Sequence, residues 1–465
     1  MSSLETDFVC SECIGDPILS KRIAEMKNIQ KCKYCKNHNS CIGLFDLTEI
    51  VDNVYRENYQ LGELYPEYYY PEDSTRWEQS GNCPEILISE MLEVEEEIAN
   101  DITNILSEQE QHDVIREGAD AYYDTTSHYQ EIEISDREHV FIWEEFCEKV
   151  KHESRFFNES IISLLRDLFF GIQDLKYSEE KQPLRVIGDK EDDKFIYRAR
   201  KALSAGNRIR ICLNPAQELG PPPKKLAKAA RMNPSGIPVF YGALERETCL
   251  SEIRLIPGEI AISAKFEIIK PLTVLDLTVL KKIYSKLSMF DPFYFNKKSR
   301  LEFLRNFESM INIPVLPGDE PLDYIPSQAL VEYLSNHFSP RIDAIIYSSI
   351  QTNNKGKNIA ILNHALKFEK SAKMFRGKDA LGQYEESWIT DYTIWEKSST
   401  GNIGAGESNL AETRNNNDKG DGVNDKYLQI VNGSLEVHKI LGINYKIHTD
   451  KIRIFKEDDL EEMPF

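Results

Sequence analysis

Residues 231–252 read RMNPSGIPVFYGALERETCLSE. Pro234-Ser235-Gly236 is a turn signature, and Gly236 tolerates dihedrals closed to other residues. The run that follows, IPVFYGAL, is rich in β-branched and aromatic side chains and predicts a strand ending near Tyr241. Next comes ETCLSEIRL, whose Cys249, Leu250, Ile253 and Leu255 predict a helix with one buried face. Around this turn, strand and helix, the runs FIYRAR, ISAKFEII, LTVLDL, DAIIYSS and NIAILN predict more strands. VLKKIYSKLSMF, RLEFLRNFESMI and SQALVEYLSNHF predict helices, the last opened by Pro326, where a missing N–H costs nothing. Residues 185–395 therefore read as a mixed α+β domain.

The opening stretch also carries chemistry. Arg231 offers a planar fork of donors suited to phosphate. Asn233 and the Gly236 turn bring polar groups and backbone close to a ligand. Glu252 is expected near the middle of its helix and partly shielded, which would strengthen its field. With Tyr241 at the strand end, these residues suit a site that holds an anionic nucleotide and acts on a sugar carbon. Upstream, Arg198 and Arg200 in YRAR supply two more guanidiniums. Downstream, Ser348 and Ser349 end DAIIYSS, where serines either hold a ribose or phosphate or cap the turn. No G-x-S-x-G elbow surrounds them, so neither reads as an acyl-transfer nucleophile.

Cys10-x2-Cys13 and Cys32-x2-Cys35 form a second constellation. Each pair sets two thiolates on one tight turn, and two such turns close a tetrahedron around zinc. Four cysteine ligands leave no open position, so the spacing predicts structural Zn2+. His38 and Cys41 follow closely and remain alternative ligands. A nucleic-acid-reading zinc module has little support, since CKYCKNHNSC is locally basic but holds one aromatic. Redox use of the CxxC pairs lacks a βαβ context.

A chain of 465 residues predicts two to three domains. The Cys-rich module occupies 1–45 and a helical domain 46–180. Within the latter, Leu87, Met91, Val94, Ile98, Ile102 and Ile105 recur at helical spacing, with Glu95, Glu96 and Glu97 as solvated surface. WEEFCEKVKHESRFFNESIISLLRDLFFGI predicts one or two more amphipathic helices. After the mixed domain, 397–425 is a Gly/Ser/Asn/Asp-rich linker. Residues 426–465 form a small β element in which Asn432-Gly433 signals a hairpin, and which is too small to bury its own core. A net charge of −21 opposes general phosphate-backbone binding, so nucleic acid is an unlikely partner. The N-terminus lacks a signal-peptide pattern and no apolar run is long enough to span a membrane, so a cytoplasmic location is expected.

Taken together, YRAR, R-x-N-x-x-G, the strand ending at Tyr241, the Tyr-to-Glu spacing, Tyr324-Ile325-Pro326-Ser327-Gln328 and Y-S-S…G-x-N resemble a RES domain over roughly residues 185–370. The resemblance implies a fold related to ADP-ribosyltransferases and an activity that consumes NAD+ as substrate. It implies cleavage of the nicotinamide–ribose bond by hydrolysis or phosphorolysis, in a toxin or defence effector. Transfer of ADP-ribose to a macromolecule is the enzymatic alternative, and a nucleotide-sensing module without turnover the non-enzymatic one. By motif position, Glu252, Arg198, Ser349 and Tyr241 would be catalytic. Arg231, Asn233, Gly236, Arg200, Ser348, Gln328 and Asn358 would bind substrate. A partner antitoxin or regulator, and a homo-oligomer, stay open. The usual G-G-R-W-N reads Ala229-Ala230-Arg231-Met232-Asn233, which alters the entry loop. The preceding region resembles the HEPN-related N-terminal domain of some RES proteins, without the R-x4–6-H spacing of HEPN ribonucleases.

Overall fold

The structure, a computed structural model, describes residues 7–69, 74–117, 122–123, 127–156, 158–316, 318–368, 381–386, 389–394 and 427–443. Two compact units emerge: Met1–Pro183 with Val279–Met310, and Leu184–Thr278 with Ile311–Phe465. The linker 397–425 and most of the final strand-like run, from residue 444 onward, lie outside the described residues.

In the first unit β1 (Phe8–Cys10), α1 (Pro17–Met26), β2 (Ile29–Lys31) and β3 (His38–Gly43) come first, with sheet order β1-β3-β2. Helix α1 starts where its sequence dictates. The Asp16 carboxylate accepts the Ile18 and Leu19 amides at 3.0 and 2.9 Å, and Pro17 sits in the first turn. Then follow α2 (Leu44–Asn58), β4 (Tyr59–Leu61), β5 (Leu64–Tyr69), β6 (Ser74–Gln79), α3 (Pro84–Leu92), α4 (Glu96–Glu117), β7 (Tyr129–Glu131), α5 (Arg137–Glu148) and α6 (Glu159–Phe169). The periodic stretch from Leu87 to Ile105 is two helices, because Glu93 adopts φ +53° and ends α3. The freed Leu92 carbonyl is taken by the amides of Gly15 and Asp16. Leu19, Leu44, Val51, Tyr55, Ile88 and Ile102 are fully buried in the common core.

The second unit is built on one sheet. Its elements are β8 (Leu184–Ile187), β9 (Phe195–Lys201), α7 (Ala205–Leu213), α8 (Pro215–Leu219), β10 (Phe240–Ala243), α9 (Arg246–Glu252), β11 (Ile260–Ile268) and β12 (Leu272–Asp276). After α10 (Tyr294–Ile311) come α11 (Glu320–Asp323), α12 (Ile325–Asn336), β13 (Ala344–Ser348), β14 (Lys357–Ile361), an isolated pair β15 (Leu381–Glu386) and β16 (Ile389–Ile394), then β17 (Leu428–Ile430) and β18 (Glu436–Lys439). The order is β17-β11-β9-β10-β14-β13-β12-β8, with β18 also on β11, and of these described strand pairs only β12–β13 is parallel. Pro326 lies in the first turn of α12, as its sequence predicts.

Register fixes the two faces. Ala243 opposes Tyr197 and Asn358, Tyr241 opposes Ala360, and Asn358 opposes Tyr347, so Tyr197, Tyr241, Asn358 and Tyr347 share one face. Phe240, Ile346, Ile359 and Ile361 point to the other, where they pack with Ile211, Cys212 and Leu219 of α7 and α8.

Two expectations are corrected, and one expected span divides between the units. VLKKIYSKLSMF gives only a 3-10 turn at Leu277–Lys282, and Tyr284 pairs instead with Lys176. Residues 279–310, read as part of 185–395, belong to the first unit, where Phe307 of α10 packs edge-on to Trp143 and Phe169. Asn432-Gly433 is not a hairpin: β17 and β18 both run antiparallel along β11, at Phe266–Ile268 and Ile260–Ser263. The intervening residues bulge out of one interrupted strand, and Gly433 at φ +73° provides the bend. The C-terminal segment thus docks on the edge of this sheet.

Candidate functional site

Glu252 ends α9 rather than occupying its middle, and it is exposed rather than shielded. A helix C-terminus is the unfavourable end for a carboxylate. External donors hold it there: Glu252 Oε1 accepts Ser349 Oγ at 2.6 Å and Asn358 Nδ2 at 2.7 Å. Both donors are buried. The helix itself is fixed at its start, where Glu245 Oε2 accepts the Lys357 amide at 3.0 Å and Thr248 Oγ1 at 2.8 Å. Gly356 lets the loop after β13 come this close, since a Cβ there would lie 2.0 Å from Thr248 Oγ1.

Tyr241 fastens the loop that carries Arg231. Its hydroxyl donates to Asn233 Oδ1 at 2.8 Å and accepts the Met232 amide at 3.0 Å. Asn233 Nδ2 in turn donates to the carbonyls of Lys228, Pro234 and Ile237, each at 2.9 Å. From α12, Gln328 Nε2 donates to Ala230 O at 2.8 Å and Ser327 Oγ to Arg231 O at 2.5 Å. Gly236, at φ +86°, donates its amide to Ala227 O at 2.9 Å. Asn233, Gly236 and Gln328 therefore shape this loop rather than present free groups to a ligand. The Arg231 guanidinium bonds the carbonyls of Ile311 and Ile313 and lies 5.5 Å from the Tyr324 ring centre. Those partners are uncharged, and among the described residues no acid is paired with it.

Arg231, Tyr241, Glu252, Arg254, Tyr324 and Tyr347 line one cavity of 240 Å3, with Ser348 and Asn358 among their neighbours. Burial raises the phenol pKa values of Tyr241 and Tyr347, so both stay protonated at neutral pH. Ser348 lines the cavity, whereas the buried Ser349 gives its hydroxyl to Glu252. Sequence reasoning missed Arg254. It lies two residues beyond Glu252, and its φ of +47° follows the end of α9.

Arg198 and Arg200 are not brought to this cavity. Arg198 alternates with Tyr197 along β9 and stacks 4.8 Å from Phe240, on the opposite sheet face from Tyr241. It donates to Gly220 O at 3.1 Å, and burial pulls its pKa down to about 10. Arg200 is exposed and paired with Glu218 at 2.7 Å, which also pairs with Arg210.

In the first unit, the sulfur atoms of Cys10, Cys13, Cys32 and Cys35 all lie within 4.8 Å of one another. Cys10 is 3.6 Å from Cys13 and 3.5 Å from Cys35, and Cys13 is 3.8 Å from Cys32. Thiolates about 2.3 Å from a central ion in a tetrahedron stand at about this separation. Cys41 Sγ instead faces the carbonyls of Gln30 and Asn39, and His38 is exposed at the start of β3. The donor set fits a closed four-coordinate metal site.

Comparison with family models gives two matches. RES domain matches residues 213–374, and HEPN/RES N-terminal domain 1 matches residues 25–163. The first span contains Arg231, Tyr241, Glu252, Ser349 and Asn358 but begins after Arg198 and Arg200. No curated protein and no solved structure matches the chain. Among the described residues no helix is long and apolar enough to cross a membrane.

Proposed function

The chain joins a HEPN/RES N-terminal domain 1 to a RES domain, and from that premise we propose that it cleaves the nicotinamide–ribose bond of NAD+. The RES match supports a NAD-related, toxin-like function at the family level. The observation that carries the finer reading is the Glu252 carboxylate, held by Ser349 and Asn358 at a cavity that also holds Arg231 and Arg254.

As the C–N bond to nicotinamide breaks, positive charge develops on the ribose. A fixed carboxylate stabilises that charge more than it stabilises the ground state. Glu252 takes this role, and Ser349 and Asn358 keep its Oε1 oriented. Arg231 and Arg254 take the negative pyrophosphate. Tyr347 and Tyr324 offer ring faces to a flat base. The cavity is smaller than the roughly 300–1,000 Å3 of common ligand clefts, so it suits one half of the dinucleotide. Water then adds to the ribose carbon, giving nicotinamide, ADP-ribose and a proton.

Purified wild type incubated with NAD+ should release nicotinamide and free ADP-ribose, and Glu252→Gln should not. The exposed position of Glu252 favours a second reading, in which a macromolecular acceptor replaces water. Label retained on a protein or nucleic acid after incubation with labelled NAD+ would identify that transfer. The four-cysteine site is assigned to structural zinc. Zinc would tie the turn at Cys10 and Cys13 to the turn at Cys32 and Cys35, and it has no part in bond cleavage.

A further inference from the structure

The segment 427–443 lies beyond the RES match, yet it reaches the helix that bears Glu252. Its two strands pair with β11, and Ser434, in the bulge between them, meets the β11 backbone through Lys265 N at 3.1 Å. Arg246 stands opposite, as the first residue of α9. Its guanidinium donates to Ser263 Oγ on β11 at 2.5 Å and to the Ser434 carbonyl at 3.4 Å. It pairs with Glu436 of β18 at 3.1 Å and packs 5.0 Å from the Tyr197 ring centre. Ser263 is fully buried, and its Oγ also lies 2.8 Å from His438 Nε2. One side chain thus joins α9, β9, β11 and the C-terminal strand. A point charge could not replace it, because the contacts need a flat, many-donor fork.

Helix α9 has seven residues, so it is about 10 Å long. Glu252 sits at the other end from Arg246. Glu245 anchors the helix to β14, and Arg246 anchors it to the C-terminal strand. With the Arg246 contacts removed, the start of this short helix can tilt or slide, and the far end that bears Glu252 moves with it.

We propose that Arg246 is a positioning residue for Glu252, with the C-terminal strand 427–443 as its anchor. This rests on the assignment of Glu252 as the carboxylate that stabilises the ribose cation. The segment outside the RES match is then a working part of the site.

The test uses the full chain and its Arg246→Gln and Arg246→Lys variants. Arg246→Gln should lower kcat for NAD+ loss on the order of tenfold, with KM changed by less than about twofold. Arg246→Lys should recover only part of that loss. In a Glu252→Gln background, Arg246→Gln should leave the residual rate unchanged, because its effect passes through the missing carboxylate. Hydrogen exchange should quicken in 246–252 and 428–439 of Arg246→Gln while the rest of the sheet stays protected. An unchanged kcat, a rise in KM alone, or an equal loss in both backgrounds would overturn the proposal. If wild type itself consumes no NAD+, the assignment of Glu252 fails. Exchange then decides the coupling alone, and unaltered protection of 246–252 would refute it.

Discussion

Ser349 Oγ donates to Glu252 Oε1 across 2.6 Å, although the two residues stand 97 positions apart in the chain. The serine is fully buried, while the glutamate faces the cavity. Its hydroxyl is therefore committed to holding a carboxylate, and the pocket-facing serine is its neighbour Ser348. Under the proposed function the adjacent serines would divide the work: Ser349 would orient the Glu252 carboxylate, and Ser348 would meet the ligand.

Removing the charge and loosening it should have different consequences. Glu252→Gln should reduce NAD+ loss by about 10²–10³, the usual cost of one transition-state electrostatic contact. Ser349→Ala leaves the charge in place with one donor fewer, so a loss of about tenfold is expected, mainly in kcat. Steady-state rates of both variants check this. Equal losses would mean that Ser349 acts directly on substrate.

The loop that carries Arg231 should be sensitive at Asn233 without Asn233 touching ligand. Its two Nδ2 hydrogens are shared among three carbonyls and its Oδ1 accepts one hydroxyl, all of them protein groups. Asn233→Ala removes a buried amide that ties several groups of this loop together and should destabilise the second unit by about 2–3 kcal/mol. Tyr241→Phe breaks two of the links between loop and strand and should cost about 1–2 kcal/mol. Denaturant titration of each variant measures the loss. A fall in turnover without any loss of stability would restore these residues to the substrate.

Arg198 and Arg231, both assigned to the site by their motifs, should separate in kinetics. Arg198 lies on the other sheet face, over Phe240, whereas Arg231 lines the cavity. Arg198→Met should leave kcat/KM within about threefold of wild type, and Arg231→Met should lower it by about 10²-fold through the lost phosphate contact. An equal loss in both would place Arg198 at the ligand.

Residue type in local order was readable, and partnership was not. Tyr241 and Asn358, near the starts of β10 and β14 rather than at the strand end expected for Tyr241, come together with Ser349 just past the end of β13 and Glu252 at the end of α9. The paired cysteines were readable because each pair needs only its own turn. Arg198 was not, since a shift of one residue along a strand moves a side chain to the opposite face, and only register decides which. Asn233 and Gln328 offer the same amide to a ligand or to a loop carbonyl, and only the folded neighbours choose. Asn432-Gly433 marks a bend, but whether the chain reverses there depends on the free edge of β11. Nothing in the local sequence around Arg246 marks its partners, because Ser263, Ser434 and Glu436 come from distant strands.

Zinc removal should act on the first unit. Cys32→Ser takes one of the four clustered sulfurs, and each of the four lies in or beside a turn that the ion would tie. The variant should lose about one zinc per chain by elemental analysis and unfold at a lower temperature. Cys41→Ser should keep its zinc, because Cys41 faces the Gln30 and Asn39 carbonyls instead. Zinc lost from both would place Cys41 among the ligands.

Acid should loosen the docked C-terminal strand. Glu267 on β11 accepts Lys194 Nζ at 2.7 Å and Gln429 Nε2 of β17 at 2.6 Å. Lys194 first, and Gln429 with it, hold the Glu267 carboxyl below its usual range. A carboxylate with a depressed folded pKa binds fewer protons folded than unfolded, so stability rises with pH across the interval between the two values. Its contribution is therefore present above the ordinary glutamate pKa of about 4.3 and is lost as pH falls through the lower, folded value. Hydrogen exchange at residues 428–430 should accelerate on acidification through that interval. Glu267→Gln removes the titrating group, keeps an oxygen for Gln429 and should flatten this pH dependence. If exchange at 428–430 follows the same acid profile in Glu267→Gln as in wild type, another group governs the docking of the strand.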